Sequence, residues 1–418
     1  MGGNRKLALV LADNIGMTPR RMALATRVAI FGWLAGTCFS GCHNSWSDDG
    51  EQPRLPTLEG AFSPEWGRSD ATRMPRRHAI DSRLSTVADS QTTNDPPPSN
   101  PWSSPEACQS LLNDAKRAQR SPGAARLATW NVRWFPDGIP GRALTPEQGT
   151  DLNWLACVIA WLNVDALALQ EIKVDTVSRE KLAWVVTELD RRTNGSWSVV
   201  LDECPARNGQ HVAWLVATSR VKLTSFAQYG DVNPRGSACA DQLRPALGVA
   251  LTFPGGLDLQ AITVHLKSGV TQRDVDLRRR SWEALTYVMA AVARQSQDPD
   301  VLVMGDFNSM GCRSCNEPYG NESELAELDR QLHSGDLPAR RVGAEQPCSH
   351  YFQKQPGSLD HVVVTQATRE LPPSTRAKID GYCLDLNCEP FSGKEPRAQR
   401  RLSDHCPLVV ELIDRDID

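Results

Sequence analysis

The chain has 418 residues, 40% of them hydrophobic, and a formal net charge of −4. That length allows two or three domains with a real core, while no apolar run reaches the roughly 18 residues of a membrane-spanning helix. An acidic chain also lacks the basic excess behind strong nonspecific nucleic-acid binding, so any contact with a polyanion has to be local.

The N-terminus reads as an export signal. Arg20, Arg21 and Arg27 precede an apolar stretch at 28–35, and small residues follow it to Gly41-Cys42. Positive, then apolar, then small is the succession of a secretory leader. Phe39-Ser40-Gly41-Cys42 resembles the bacterial lipoprotein box, which implies acylation of Cys42 and attachment to a membrane. Translation from Met17 or Met22 would give the leader a more ordinary charged region. The leader is assigned to residues 1–42, and the protein is expected to be exported, to the periplasm, the cell envelope or the extracellular medium. Removing residues 1–41 takes away five basic groups and one acidic group, so the mature chain is more acidic still.

Residues 43–122 are rich in Pro, Ser, Asp, Thr and Arg, with Pro96-Pro97-Pro98 as the clearest marker. Such a composition buries too little apolar area to offset its ordering entropy and predicts a tether. A short helix packing on the edge of the following domain is expected at 108–120. The folded unit is then 123–418. In it, apolar runs bounded by turn residues predict strands at 126–132, 166–170, 198–201, 212–218, 246–253, 257–265, 301–305, 360–364 and 408–412. Helical spacing recurs at 151–163, 179–191 and 275–294. Strands mixed with helices predict a layered α/β domain. No internal repeat is present.

Twelve cysteines fit an oxidising compartment. Cys383 and Cys388 are close enough to close a small loop, and Cys204 with Cys239 could tie two loops flanking a strand. Cys312-Arg313-Ser314-Cys315 lacks a second such pair to complete a zinc site, so a structural disulfide is expected there, with Cys348 a further possible partner. Cys157 reads as a buried free thiol on a helix. The Arg278-Arg279-Arg280 run reads as a solvated face, whereas Arg400-Arg401, just before Asp404-His405, has the better claim to touch substrate. Trp130 and Trp134 flank Asn131 and are expected to pack in the core rather than stack on bases.

Polar groups sit at the ends of the apolar runs in a definite order. They are Thr129-Trp130-Asn131-Val132-Arg133-Trp134, Leu169-Gln170-Glu171, Val264-His265-Leu266-Lys267-Ser268, Leu302-Val303-Met304-Gly305-Asp306-Phe307-Asn308-Ser309, Ser358-Leu359-Asp360-His361 and Ser403-Asp404-His405-Cys406-Pro407. Gly-Asp-Phe-Asn alone would be an ordinary turn. All six together, over roughly residues 125–413, resemble the endonuclease/exonuclease/phosphatase family, the deoxyribonuclease I-like metal-dependent phosphoesterases. The resemblance implies a four-layer α/β sandwich, two packed β-sheets flanked by helices.

It also implies roles. Phosphodiester hydrolysis needs charge neutralised on the nonbridging oxygens, an in-line water and a stabilised leaving oxygen. Glu171 would be the principal metal carboxylate, with Asn131 and Asp404 completing the environment of Mg2+ or Mn2+, hard cations that take oxygen ligands. Asp306 would orient or deprotonate water, and Asn308 would bind a phosphate oxygen. Asp360 would fix and charge His405 as a phosphate partner, and His265 would approach the scissile phosphate near the leaving group. Arg244-Pro245 resembles the family's Arg-Pro step. His211 and His361 stay outside this set, His361 because strand alternation turns it away from Asp360.

The expected activity is a nuclease acting on DNA or RNA, because the runs at His265 and Asp306 resemble those of exported members of the family. The alternatives are a lipid or small-molecule phosphodiesterase of the sphingomyelinase kind, and an inactive binding module. Ser358-Leu359-Asp360-His361 argues against the inositol-polyphosphate phosphatases, which carry Trp-Cys-Asp-Arg there. No protein partner is implied.

Overall fold

The computed structural model describes residues 100–204, 209–235 and 243–417. The expected leader, Cys42, most of the expected tether and Cys239 lie outside the described residues.

The first described residues are part of the folded domain. Ser104 caps helix α1 (Pro105–Asn113), its hydroxyl accepting from the Ala107 amide, and Pro105 supplies a first-turn residue with no amide proton to satisfy. Trp102 packs edge-on against Trp130 and Trp161, with ring centroids 5.6 and 6.5 Å away. Cys108 is bonded to Cys157. The boundary expected at 123 therefore moves to residue 100 at the latest, and the helix expected at 108–120 runs earlier and shorter.

The strands follow in chain order. After β1 (Ala124–Phe135) come β2 (Ala166–Ile172), β3 (Ser198–Leu201), β4 (His211–Val216) and β5 (Lys222–Tyr229). Next are β6 (Ala246–Thr252), β7 (Asp258–His265), β8 (Val301–Asp306) and β9 (Ala339–Val342). A small hairpin of β10 (His350–Phe352) and β11 (Gln355–Gly357) precedes β12 (Asp360–Thr365), β13 (Lys378–Ile379) and β14 (Leu408–Ile413). Apart from the β10–β11 hairpin they form two six-stranded sheets, ordered β13-β14-β1-β2-β4-β3 and β5-β6-β7-β8-β12-β9. Among these named strands, β1 pairs with β2 and β7 with β8 in parallel, and the other pairings are antiparallel.

Alternation along β8 shows how the layers stack. Leu302 and Met304 join the core between the sheets, while Val301 and Val303 face a second core under the helices. A strand buried on both faces reads as a continuous apolar run, as this one does. Helices α2 (Leu152–Leu162) and α3 (Thr176–Thr193) cover the first sheet with α1; α4 (Gln272–Ser296) and α5 (Asn321–Ser334) cover the second. The short α6 (Tyr382–Asp385) and α7 (Arg397–Arg401) lead into β14. This is the expected four-layer α/β sandwich. No helix among the described residues is long and apolar enough to cross a membrane.

Several sequence-based expectations are corrected by tertiary placement. Cys157 is not a free thiol, and Cys383 does not close a small loop with Cys388. The pairs are Cys108–Cys157, Cys312–Cys315, Cys348–Cys388 and Cys383–Cys406. Cys204 is also disulfide-bonded, and its proposed pairing with Cys239 lies outside the described residues. Arg278 is fully buried against Glu324 rather than solvated.

Candidate active site

The eight predicted site residues come from both sheets and meet at one end of the sandwich. Asp306, at the end of β8, lies in register with His265 at the end of β7 and with Asp360 at the start of β12. Asn131 and Glu171 occupy the neighbouring ends of β1 and β2, and Asp404-His405 lie in the loop before β14. The β1–β2 register breaks between Asn131 and Phe135, where Arg133 and Trp134 take φ of 43° and 46°. Glu171 and Asn308 also lie in the left-handed region, at 65° and 51°. Such breaks re-aim side chains, and the surrounding contacts hold them in place. Gly305 is required here, because a Cβ would collide with the Val264 carbonyl oxygen.

Hydrogen bonds fix the set. The Asn131 amide donates to Glu171 Oε1 at 3.2 Å and to Asp306 Oδ2 at 3.0 Å, while its own oxygen accepts from the Arg133 amide at 2.9 Å. Glu171 Oε2 accepts from the Trp134 amide at 2.9 Å. Asp306 Oδ1 accepts from the Asn308 amide at 2.9 Å. Asn308 Nδ2 donates to the Leu266 carbonyl at 3.1 Å, leaving its second amide proton for a ligand. His405 Nδ1 lies 2.8 Å from Asp360 Oδ2, and its Nε2 lies 4.0 Å from Asp306 Oδ2. His265 Nε2 stands 3.5 Å from Asp306 Oδ2 and 3.9 Å from Glu171 Oε1.

The two histidines carry opposite charge states. Burial alone would push His405 down, but Asp360, Asp306 and Asp404 outweigh it and raise it to about 10. It is the imidazolium of the site. Burial, with the positive charges of Arg244 and His405, holds His265 well below its ordinary value. His265 is therefore a neutral imidazole, and its Nδ1 is buried without a partner. The proton then belongs on Nε2, the nitrogen that faces the carboxylates. Burial lifts Asp306 to about 7, opposed by His405 and helped by Asp360. Burial also raises Glu171, and repulsion from Asp404 adds to it.

Carboxylates that repel one another in a buried setting ask for a cation, and their oxygens suit a hard one. Glu171 and Asp404 fit Mg2+ or Mn2+ in that respect, whereas the Asn131 carboxamide now turns its amino group to Glu171 and Asp306 and would ligate through its oxygen only after turning over. Asp306, Asp360 and His405 also bring ligand atoms within 4.8 Å of one another. That cluster is better described as an ion pair: Asp360 Oδ2 already accepts from Ser349 Oγ at 2.7 Å and faces a charged imidazole. A cation there would first have to displace the proton.

Other residues of the site had little sequence signal. Ser349 takes the Leu359 and Asp360 amides on its hydroxyl, and His350 stacks against His405 with ring centroids 5.2 Å apart. Arg244 directs its guanidinium to the His265 and Gln210 carbonyls, so it frames the site from behind His265. Trp130 is core as expected, and its indole donates to the His405 carbonyl at 2.9 Å. Trp134 departs from expectation: the register break turns it to a half-buried position with Lys173 Nζ 5.8 Å from its ring centre. His211 pairs with Asp202 at 2.6 Å, and His361 with Ser309 at 2.8 Å, both outside the catalytic set.

An α/β sandwich that gathers carboxylates, carboxamides and a carboxylate-paired imidazolium at its strand ends defines a phosphoesterase. The chain belongs to the Endonuclease/Exonuclease/phosphatase family, whose model matches residues 128–405. No curated protein matches it. Among solved structures, the human Nocturnin catalytic domain is 16% identical, covering 70% of this chain and 95% of that one with a TM-score of 0.45. A family protein from Leptotrichia buccalis is 16% identical, covering 69% and 99%, with a TM-score of 0.47. TDP2 from D. rerio, complexed with a single-strand DNA product, is 17% identical, covering 69% and 98%, with a TM-score of 0.42.

Proposed function

We propose that the protein is an exported, Mg2+-dependent nuclease that hydrolyses phosphodiester bonds of DNA or RNA by in-line attack of water. The observation that carries the hydrolytic reading is the His405–Asp360 pair at 2.8 Å beside Asp306. A fixed positive charge and a proton acceptor then face the same small volume. Asp306, lifted to about 7, is basic enough to take a proton from the attacking water near neutrality. The His405 imidazolium faces the phosphoryl charge as it grows, with no reorganisation of solvent. Asn308 and neutral His265 each offer one hydrogen-bond donor to phosphate oxygens. Mg2+ held by Glu171, Asp404 and Asn131 would supply Lewis-acid neutralisation of the phosphate.

Choosing a nuclease within this chemistry rests on the runs Val264–Ser268 and Gly305–Ser309, which resemble those of exported nucleases of the family. Export, and anchoring through Cys42, rest on the leader-like N-terminus, and the disulfides are of the kind that oxidising compartments keep. The test is hydrolysis by the purified protein of plasmid DNA, RNA, sphingomyelin and a chromogenic diester, with Mg2+ or with EDTA. Nucleic-acid cleavage that EDTA abolishes, and that Asp306→Asn lowers by about a hundredfold or more, is the expected result. Lipid turnover with intact nucleic acid would replace the nuclease by a lipid phosphodiesterase.

A further inference from the structure

A cleft of about 1010 Å³ opens between the loop after β1 and the start of α3, lined by residues close in sequence to Glu171 and Asp404. That is the scale of pockets that take whole ligands. Its walls grow directly out of the site. Lys173 lies two residues beyond Glu171, and the Asp151 amide bonds the carbonyl of Arg401 at 2.8 Å, three residues before Asp404.

The cleft is cationic in a chain that is acidic overall. Four cationic side chains, Arg142, Lys173, Lys181 and Arg401, line it against three acidic ones. Each acid is already engaged. Asp137 pairs with Lys173 at 2.7 Å, Asp151 lies 3.6 Å from Arg401, and Asp175 caps α3 through Ser178. Among the described residues, Arg142 and Lys181 have no ion-pair partner. Thr150 lines the same cleft, but its hydroxyl is closed off from it, buried with no hydrogen-bond partner.

We infer that this cleft is a second phosphate subsite, holding the nucleic-acid strand that flanks the scissile phosphate. Arg142 and Lys181 would take the next backbone phosphates. The inference rests on the nuclease reading and sharpens it. A phospholipid headgroup with a single phosphodiester, once bound at the catalytic centre, has no second phosphate to place here. A polynucleotide has one at every residue.

Steady-state kinetics with Mg2+ test this on the wild type, Arg142→Ala/Lys181→Ala and Thr150→Val, using a dinucleotide, a dodecamer, sphingomyelin and bis(p-nitrophenyl) phosphate. The wild type should show a KM for the dodecamer well below that for the dinucleotide. The double variant should raise the dodecamer KM by about tenfold and leave kcat, and the small diester, within about twofold. Its dependence of log KM on log salt should be shallower by about 0.7 per cation removed. Thr150→Val, whose hydroxyl is closed off from the cleft, should leave every KM unchanged and serves as the control. A dodecamer cleaved with the same KM and salt dependence in the double variant would overturn the subsite while leaving the nuclease reading standing. Failure of every oligonucleotide while sphingomyelin is turned over would remove that reading, and the subsite with it.

Discussion

Asp360 and His361 are neighbours on β12, and strand alternation gives their side chains opposite surroundings. Asp360 faces the site and charges His405. His361 turns to the other face, where its ring meets Phe307 edge-on at 5.7 Å and its Nε2 lies 2.8 Å from Ser309 Oγ. Burial, with Arg341 nearby, lowers His361 from 6.5 to about 3. It is thus neutral in the fold wherever the unfolded chain would already be protonated. Between pH 6.5 and 3 the unfolded state binds the extra proton, so stability is full above 6.5 and is lost as pH falls toward 3. The slope is at most about 1.4 kcal/mol per pH unit. His350, lowered to about 4, acts in the same direction. Urea unfolding at pH 7 and pH 5 should show His361→Gln losing about 2 kcal/mol less than the wild type over that interval. Equal losses would mean that His361 takes up its proton in the folded state. That His361 turns away from Asp360 follows from its place on the strand and was legible in the sequence, though its neutrality comes from burial and Arg341. The neutrality of His265 was not, because Arg244 and His405 reach it only through the fold.

At the scale of elements, helices α4 and α5 act on the site without touching it. The Arg278 guanidinium, wholly buried, pairs with Glu324 at 2.6 Å. It also donates to the carbonyls of Lys267, Gly269 and Gly311, and Glu324 accepts from the Gly311 amide. These carbonyls lie in the loops that follow His265 and Asn308, so one ion pair holds both loops. Arg278→Met would leave Glu324 buried and unpaired, at a cost of about 3–5 kcal/mol. Replacing both with Met should restore most of that stability, since a buried pair often gains little over apolar packing. It should not restore kcat, because the loop carbonyls lose their donor; urea denaturation and kcat measured on both variants separate the two effects. A double variant with wild-type kcat would show the pair to be a packing device only. This bracket was invisible in the sequence, since its partners lie 46 residues apart. The strands holding the site were legible because burial on both faces writes continuous apolar runs. Strand β5, whose exposure alternates along Lys222–Tyr229, and the three-residue strands of the β10–β11 hairpin leave no such signature.

Over the whole molecule, the segment before β1 joins the catalytic end to the far side of the first sheet. Composition marked residues 100–122 as tether, but composition averages over Trp102, Cys108 and Leu111, which are buried. Trp102 packs on Trp130, and Trp130 in turn bonds the His405 carbonyl. The Trp102 indole also donates to Asp380 at 2.7 Å, ahead of the α6 segment that the Cys383–Cys406 disulfide ties to the His405 loop. The Cys108–Cys157 link, 49 residues apart in sequence, should contribute about 4 kcal/mol through the unfolded state. A chain starting at residue 123 loses both the link and the packing, and leaves Cys157 as a buried thiol. At roughly 2–4 °C per kcal/mol for a domain of this size, its midpoint should fall by about 10 °C or more relative to a chain starting at residue 99. Cys108→Ser/Cys157→Ser in the longer chain separates the contributions. It should lose the disulfide's share of stability and keep kcat, because Trp102 still supports Trp130. The shorter chain should lose kcat as well, measured well below its midpoint, since Trp102 no longer packs against the tryptophan that holds His405. Equal midpoints and equal kcat for the two lengths would return residues 100–122 to the tether and leave the His405 loop to be held by the sheets alone.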